Sequence, residues 1–179
     1  MKMGLIYIYL VILTLNFTIG AEDNTEVSQN DMVKSVFIYN FTKYIHWPSD
    51  DTSSVFIIGI LGESNITIPL KEIARKKTVS GRKIQIKQYE SIRDVDQCHI
   101  LFISSREKKV IPDILSKVKN KSILTVSDMD DFSEQGGIIN FILIEGKIKF
   151  EINLASLKHA KLTAGSELLK LAILVDEDE

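Results

Sequence analysis

Only one cysteine, Cys98, is present in the 179 residues. No intrachain disulfide can therefore form, even in an oxidising compartment. An excess of basic residues is also missing: 22 Lys and Arg are outnumbered by 24 Asp and Glu. The clusters Arg75-Lys76-Lys77 and Arg82-Lys83 read as solvated faces, which leaves no electrostatic footprint for nucleic acid. Neither GxGxxG nor GxxxxGK followed by Ser or Thr occurs, so nucleotide binding through a phosphate loop has no support. No GxSxG elbow presents a serine nucleophile, and the Ser104-Ser105 pair at a strand end reads as a helix cap. His46, His99 and His159 are dispersed, without the spacing to a second His, Cys or carboxylate that a metal site needs. Asp128, Asp130 and Asp131 lack the Gly and distal Glu of a calcium loop and read as a solvated acidic turn. Catalytic, cofactor-binding and metal-binding constellations are thus all missing from the pattern, and no internal repeat is present.

What the chain does have begins with an export signal. Lys2 precedes an apolar run over residues 5–19, interrupted by Thr14, Asn16 and Thr18, and Thr18-Ile19-Gly20-Ala21 offers small residues to a signal peptidase. The run, about fifteen residues, falls short of the roughly 20 that cross a bilayer, and no later run reaches that length. Residues 1–21 are therefore expected to be a signal peptide, 22–30 a polar flexible leader, 31–175 one domain, and the four acids at 176–179 a disordered tail. Lys2 is the sole charged residue in the first twenty, so the exported part carries a net charge of about −3. Its length suits a single core. A periplasmic location is expected if the source is a diderm bacterium.

The strongest local pattern lies at 136–153, GGIINFILIEGKIKFEIN. Ile139, Phe141 and Leu143 alternate with Asn140, Ile142 and Ile144; Glu145-Gly146 makes a two-residue turn; Ile148, Phe150 and Ile152 then alternate with Lys147, Lys149, Glu151 and Asn153. This predicts a β-hairpin. Its first arm, apolar on nearly both faces, belongs inside a sheet, and its second can lie nearer an edge. Gly136-Gly137 allows a positive φ or a bulge at the entry, and Asn153 stands where a helix N-cap would. Upstream, Asp31 fits an N-cap. Val33, Val36, Phe37, Asn40, Phe41, Tyr44 and Ile45 then keep helical spacing until Trp47-Pro48 ends the helix.

Residues 55–60 (VFIIGI), 98–104 (CHILFIS) and 122–126 (SILTV) read as strands buried on both faces, and 84–89 alternates. Helices are expected over 69–77, 109–120, 154–162 and 166–174. Three passages from strand to strand ahead of the hairpin predict an α/β fold. Its central sheet is mostly parallel, of about six strands, with a C-terminal antiparallel hairpin and helices on both faces.

Four residues are candidates for an interaction surface or pocket. Tyr44 and Trp47 flank the end of the first helix; aromatic residues dominate interface energetics, and core packing accounts for them equally well. Asn140 and Glu151 are polar groups on otherwise apolar strands, and a carboxylate between Phe150 and Ile152 either faces solvent or lines a pocket. Asn40, on the apolar stripe, needs a hydrogen-bond partner. His99, in or beside a buried strand, reads as a satisfied core imidazole, and Cys98 as a small residue at the mouth of that strand.

Seven blocks, VKSVFIYNFTKYIHWP (33–48), FIIGILG (56–62), GRKIQIK (81–87), CHILFIS (98–104), LTVSD (124–128), GGIINF (136–141) and KIKFEINLASLKHAKLTAGSELLKLA (147–172), resemble in order the YfiR (YfiR/HmsC-like) family of bacterial periplasmic proteins. The resemblance implies an α/β sandwich that is not an enzyme and needs no cofactor. It further implies a negative regulator that holds an inner-membrane diguanylate cyclase in check through that enzyme's periplasmic sensor region. Such systems often include an outer-membrane lipoprotein, and the regulator is often a dimer; the output is less cyclic di-GMP, biofilm and exopolysaccharide. Some relatives carry two disulfides. Here Cys98 matches a family cysteine, but the residues that would pair with it are absent. A second reading is a periplasmic small-ligand-binding protein whose occupancy a membrane receptor reads, with its crevice near Gly62, Ser104 and Asp128. A third is a hydrolase using Ser104 or Glu151.

Overall fold

The computed structural model describes residues 27–48 and 53–175. The expected signal peptide, residues 22–26 of the expected leader and the acidic tail lie outside them. In chain order the elements are α1 (Gln29–Tyr44), β1 (Ile45–His46), β2 (Val55–Leu61), α2 (Thr67–Lys76), β3 (Thr78–Val79), β4 (Arg82–Tyr89), β5 (Ile100–Ile103), α3 (Ile111–Val118) and β6 (Leu124–Ser127). There follow β7 (Ile139–Ile144), β8 (Lys147–Asn153), α4 (Leu154–His159), β9 (Thr163–Ala164), α5 (Ser166–Leu169) and β10 (Ile173–Val175). Short 3-10 turns precede β5 and α3.

Eight strands form one sheet in the order β3-β4-β2-β5-β6-β7-β8-β10, and β1 pairs with β9 in a separate ribbon. From β4 to β7 every neighbour is parallel. The chain leaves β2 in one direction for β4 and returns past it to β5, so the strand order reverses at β2, where an α/β sheet opens a crevice beyond its strand ends. The mostly parallel α/β sheet and its antiparallel hairpin are as the pattern predicts. The two strands beyond the expected six are the short edges β3 and β10.

Several local expectations are corrected. Helix α1 is capped by Ser28, not Asp31: the Ser28 hydroxyl accepts from Asp31 N and the Asp31 carboxylate accepts from Ser28 N, a reciprocal capping box. Its inward line is also turned from the expected one, since Ser35, Ile38 and Phe41 are buried while Val36 is 52% exposed. Asn40 is half-buried and accepts from Lys43 Nζ in its own helix at 2.9 Å. The helix stops at Tyr44, before Trp47-Pro48, because Ile45 and His46 turn extended to pair with Ala164 and Thr163. The helix expected over 166–174 is one turn only. β-branched Ile173 and Val175 favour extended backbone, and β10 pairs in parallel with Glu151, Ile152 and Asn153. β10 therefore covers β8 only from Glu151 to Asn153, and β8 lies next to the sheet edge, near where the pattern puts it.

Both faces of the sheet are covered. On one, Ile38 and Phe41 of α1, Leu70 of α2 and Leu157 of α4 pack on Phe56, Ile58, Phe102, Val126, Phe141 and Phe150. Phe41 meets Phe150 edge-on at 5.2 Å and stacks with Phe141 at 5.9 Å, which fixes α1 against the hairpin. On the other face, Ile111, Ile114 and Val118 of α3, with Met129 and Phe132 of the loop after β6, cover Leu61, Leu101 and Ile103.

Candidate functional site

Glu145 and Gly146 both take positive φ, 49° and 73°, the two-residue turn whose twist matches a hairpin. That turn sets the register, and Asn140 falls directly opposite Glu151. Asn140 is 1% exposed, and its Nδ2 donates to Glu151 Oε2 at 3.2 Å. Ser133, buried in the loop after β6, donates its hydroxyl to the same oxygen at 2.5 Å. Asn153 Nδ2 donates to Ser133 O at 2.9 Å, while Asn153 Oδ1 caps α4 by accepting from Ser156 N. The loop is thereby tied to β8 by two side chains, and the Glu151 carboxylate is held in one place.

Asn140 and Glu151 line a groove of about 480 Å³ together with Asn30, Lys34, Asp128 and Asp130, and with Asp131, Glu134 and the hairpin residues Ile142, Leu143 and Ile148. Lys34 crosses from α1 to Asp128 at 2.5 Å. Five carboxylates thus face one ammonium. The rim is apolar: Leu143 is 61% exposed. β7 pairs with β6 only at Ile139 and Asn140, and β8 pairs with β10 only from Glu151 onward, so the hairpin tip stands clear of both neighbours. Sequence reasoning found Asn140 and Glu151, as polar residues on apolar strands; it missed Ser133 and Lys34. Lys34 and Asp128 are 94 residues apart, a separation at which no local pattern speaks.

Tyr44 and Trp47 are not part of this groove. Tyr44 is half-buried against the core, and its carbonyl accepts from Gly165 N at 2.8 Å. Trp47 meets Phe56 edge-on at 5.2 Å, and its Nε1 donates to His99 O at 3.3 Å. Phe56 is near the start of β2, so Trp47 sits at the amino ends of the parallel strands, the far end from Asn140. His99 stacks on Phe56 at 4.3 Å and its Nδ1 accepts from Ile57 N at 2.9 Å, a satisfied core imidazole.

Gly62, Ser104 and Asp128 do line one groove, of about 990 Å³, at the reversal point of the sheet. Its contents are largely committed to one another. Ser104 Oγ donates to Glu63 O at 2.7 Å, Arg106 pairs with Glu63, and Gln88 Nε2 donates to Gly62 O at 2.5 Å.

Cys98 is buried and unpaired, and burial first, then the Asp96 charge, pushes its thiol up to about 12. Beside it, Tyr89 donates its hydroxyl to Asp96 Oδ1 at 2.9 Å and Lys87 pairs with Asp96 at 3.1 Å. The backbone N–H of Gln97, then Tyr89 and Lys87, hold the Asp96 carboxyl down to about 2. The Tyr89 phenol is raised, by burial first and then by its bond to Asp96.

Among the described residues, no group of three or more His, Cys, Asp or Glu could hold a metal ion, and no helix is long and apolar enough to cross a membrane. No curated protein matches the chain. A crystal structure of a conserved domain protein from Vibrio cholerae O1 biovar El Tor is similar in fold, with a TM-score of 0.56 at 12% identity, over 82% of this chain and 60% of that one. The YfiR/HmsC-like family matches residues 31–173, nearly the whole of the described domain. This chain belongs to the YfiR/HmsC-like family.

Proposed function

We propose that the protein is a periplasmic regulator without catalytic activity, which docks on the periplasmic sensor region of an inner-membrane diguanylate cyclase and holds it inactive, lowering cyclic di-GMP and biofilm formation. Family membership supports the class of function. The observation that carries the choice of surface is the Asn140–Glu151 pair at the wall of an acidic groove, under a hairpin tip that projects with Leu143 exposed. A fixed carboxylate beside exposed apolar area offers a partner a polar anchor and surface to cover. Export with removal of residues 1–21 belongs to the same reading, and N-terminal sequencing of the envelope protein tests it.

The deciding experiment is affinity purification from the native envelope, followed by cyclic di-GMP measurement in a deletion strain. A cyclase with a periplasmic domain should co-purify, and its product should rise on deletion. Unchanged cyclic di-GMP with the cyclase expressed would end the proposal. The same purification asks whether an outer-membrane lipoprotein accompanies the complex, and sedimentation asks whether the working unit is a homodimer. A second reading, a binding protein for a small ligand, is favoured by the 990 Å³ groove at Gly62, Ser104 and Asp128. A metabolite screen that raises Tm would support it, since a ligand of the folded state stabilises by mass action.

A further inference from the structure

We propose that the Asn140–Glu151 groove receives an arginine side chain of the protein partner, an inference that rests on the docking reading above. Asn140 is almost wholly buried on the groove wall, yet its Oδ1 has no hydrogen-bond donor among the described residues. Turning the amide over does not help, because Oδ1 would then face the Glu151 carboxylate, acceptor against acceptor. The atom is closed off from solvent, so the donor that would satisfy it is one that arrives as a partner reshapes the groove wall. Glu151 has acceptor capacity to spare: Ser133 and Asn140 both bond to Oε2, and Oε1 takes no hydrogen bond among the described residues.

Charge selects the occupant. Asp128, Asp130, Asp131, Glu134 and Glu151 line the groove against Lys34, which already pairs with Asp128. An anion is repelled there, and a chelated metal is disfavoured because no three acids converge. A guanidinium fits better than an ammonium. Its planar fork of N–H donors can address a carboxylate and a neighbouring carbonyl at once, and it gives up water more readily beside Ile142, Leu143 and Ile148. The exposed Leu143 rim and the unpaired outer side of β7 argue for a protein chain over a free cation, since only a macromolecule covers them.

The test uses the protein as exported from its full-length coding sequence, isotopically labelled for NMR, with three probes: acetyl-Leu-Arg-Leu-amide and its lysine and citrulline counterparts. The arginine peptide should shift the Asn140 side-chain amide and the backbone amides of Ser133 and Leu143. Citrulline, isosteric but uncharged, should bind about tenfold more weakly or worse, as should the arginine peptide to Glu151→Gln. That variant keeps an acceptor for Ser133 and Asn140, and its spectrum checks the fold. Leu143→Ser, on the exposed rim, should weaken capture of the membrane partner with the spectrum otherwise unchanged. Equal binding of arginine and citrulline, or no shift at Asn140 while the partner is still captured through Leu143, overturns the arginine inference and leaves the docking reading standing. If the arginine peptide binds but Glu151→Gln captures the partner as well as the native protein does, this groove is not the docking surface, and the partner is not the source of the side chain.

Discussion

Asn140 and Glu151 face each other across the β7–β8 ladder, and the amide of the first donates to the carboxylate of the second at 3.2 Å. The pair is half-satisfied. A hydrogen bond to a charged group contributes about 1.5–3 kcal/mol, and a buried acceptor without a donor costs about 1–3 kcal/mol. The two nearly cancel at Asn140. Asn140→Leu, close in volume, should therefore change stability by no more than about 1 kcal/mol in urea unfolding, while capture of the membrane partner is lost. Glu151→Ala strands both Ser133 and Asn140 and should cost about 2 kcal/mol. A loss above about 3 kcal/mol for Asn140→Leu would mean that the residue serves stability rather than docking.

The loop that supplies Ser133 depends on a glycine. A Cβ at Gly137 would lie 2.2 to 2.5 Å from three carbons of the Phe132 ring, and Phe132 is fully buried, so the ring has nowhere to go. Gly137→Ala should cost about 3 kcal/mol, the upper end of ordinary overpacking. Gly81 provides the contrast: its φ is +81° and nothing lies within 4 Å of a Cβ there, so Gly81→Ala should lose only about 1 kcal/mol to the left-handed backbone. Equal losses at the two positions, measured by urea midpoints, would show that the Phe132 contact is not the cause.

Much of this architecture was legible because it is local. Alternation and a two-residue turn specify the hairpin, and Asn153 is a cap in sequence and in space. The same pattern marked Asn140 and Glu151, since a polar side chain on an apolar strand must be answered somewhere. The strands of two or three residues, β1, β3, β9 and β10, are too short to carry a period. The leucines after Ser166 fit a helix until Ile173 and Val175 find β8. Phe37 and Ile38 are both apolar, so helical spacing alone left the inward line of α1 open by one position. Lys34 with Asp128, and Ser133 with Glu151, are tertiary meetings, set by how α1 and the loop after β6 dock on the sheet.

Trp47 was a candidate for docking as well as for the core, and one variant separates the roles. It is the only tryptophan, it packs edge-on against Phe56 and it bonds to His99 O. Trp47→Ala should cost about 3 kcal/mol, read by circular dichroism because the fluorophore is gone. Native-like stability together with loss of partner capture would instead assign Trp47 to an interface.

Cys98 should be nearly inert in the folded protein. Raising its pKa from 9.0 to about 12 lowers the thiolate fraction at pH 8 by about a thousandfold, and only the thiolate attacks. A disulfide reagent at pH 8 should label the native protein slowly, at the rate of opening, and label it at once in denaturant. Immediate labelling of the native protein would point to an accessible thiol, one free to form a bridge to another molecule.

Asp96 gives the protein an acid-sensitive element of known sign. Its carboxyl is held at about 2 against an ordinary 3.8 by Gln97 N–H, the Tyr89 hydroxyl and Lys87. A depressed carboxyl binds fewer protons folded than unfolded between those values, so its contribution is fully present above pH 3.8 and is lost as pH falls through about 2. Its side chain is 60% exposed, so solvent screens the effect. Asp96→Asn removes the titration while leaving an acceptor for Tyr89. The gap in urea midpoint between the native protein and the variant should be constant from pH 7 to about 4 and close towards pH 2. Tyr89 acts in the opposite sense: its raised phenol favours the neutral form, so its contribution is present below its ordinary value of 10.0 and is lost at higher pH. A gap that stays constant down to pH 2 would show that the Tyr89, Lys87 and Gln97 contacts do not stabilise the Asp96 charge.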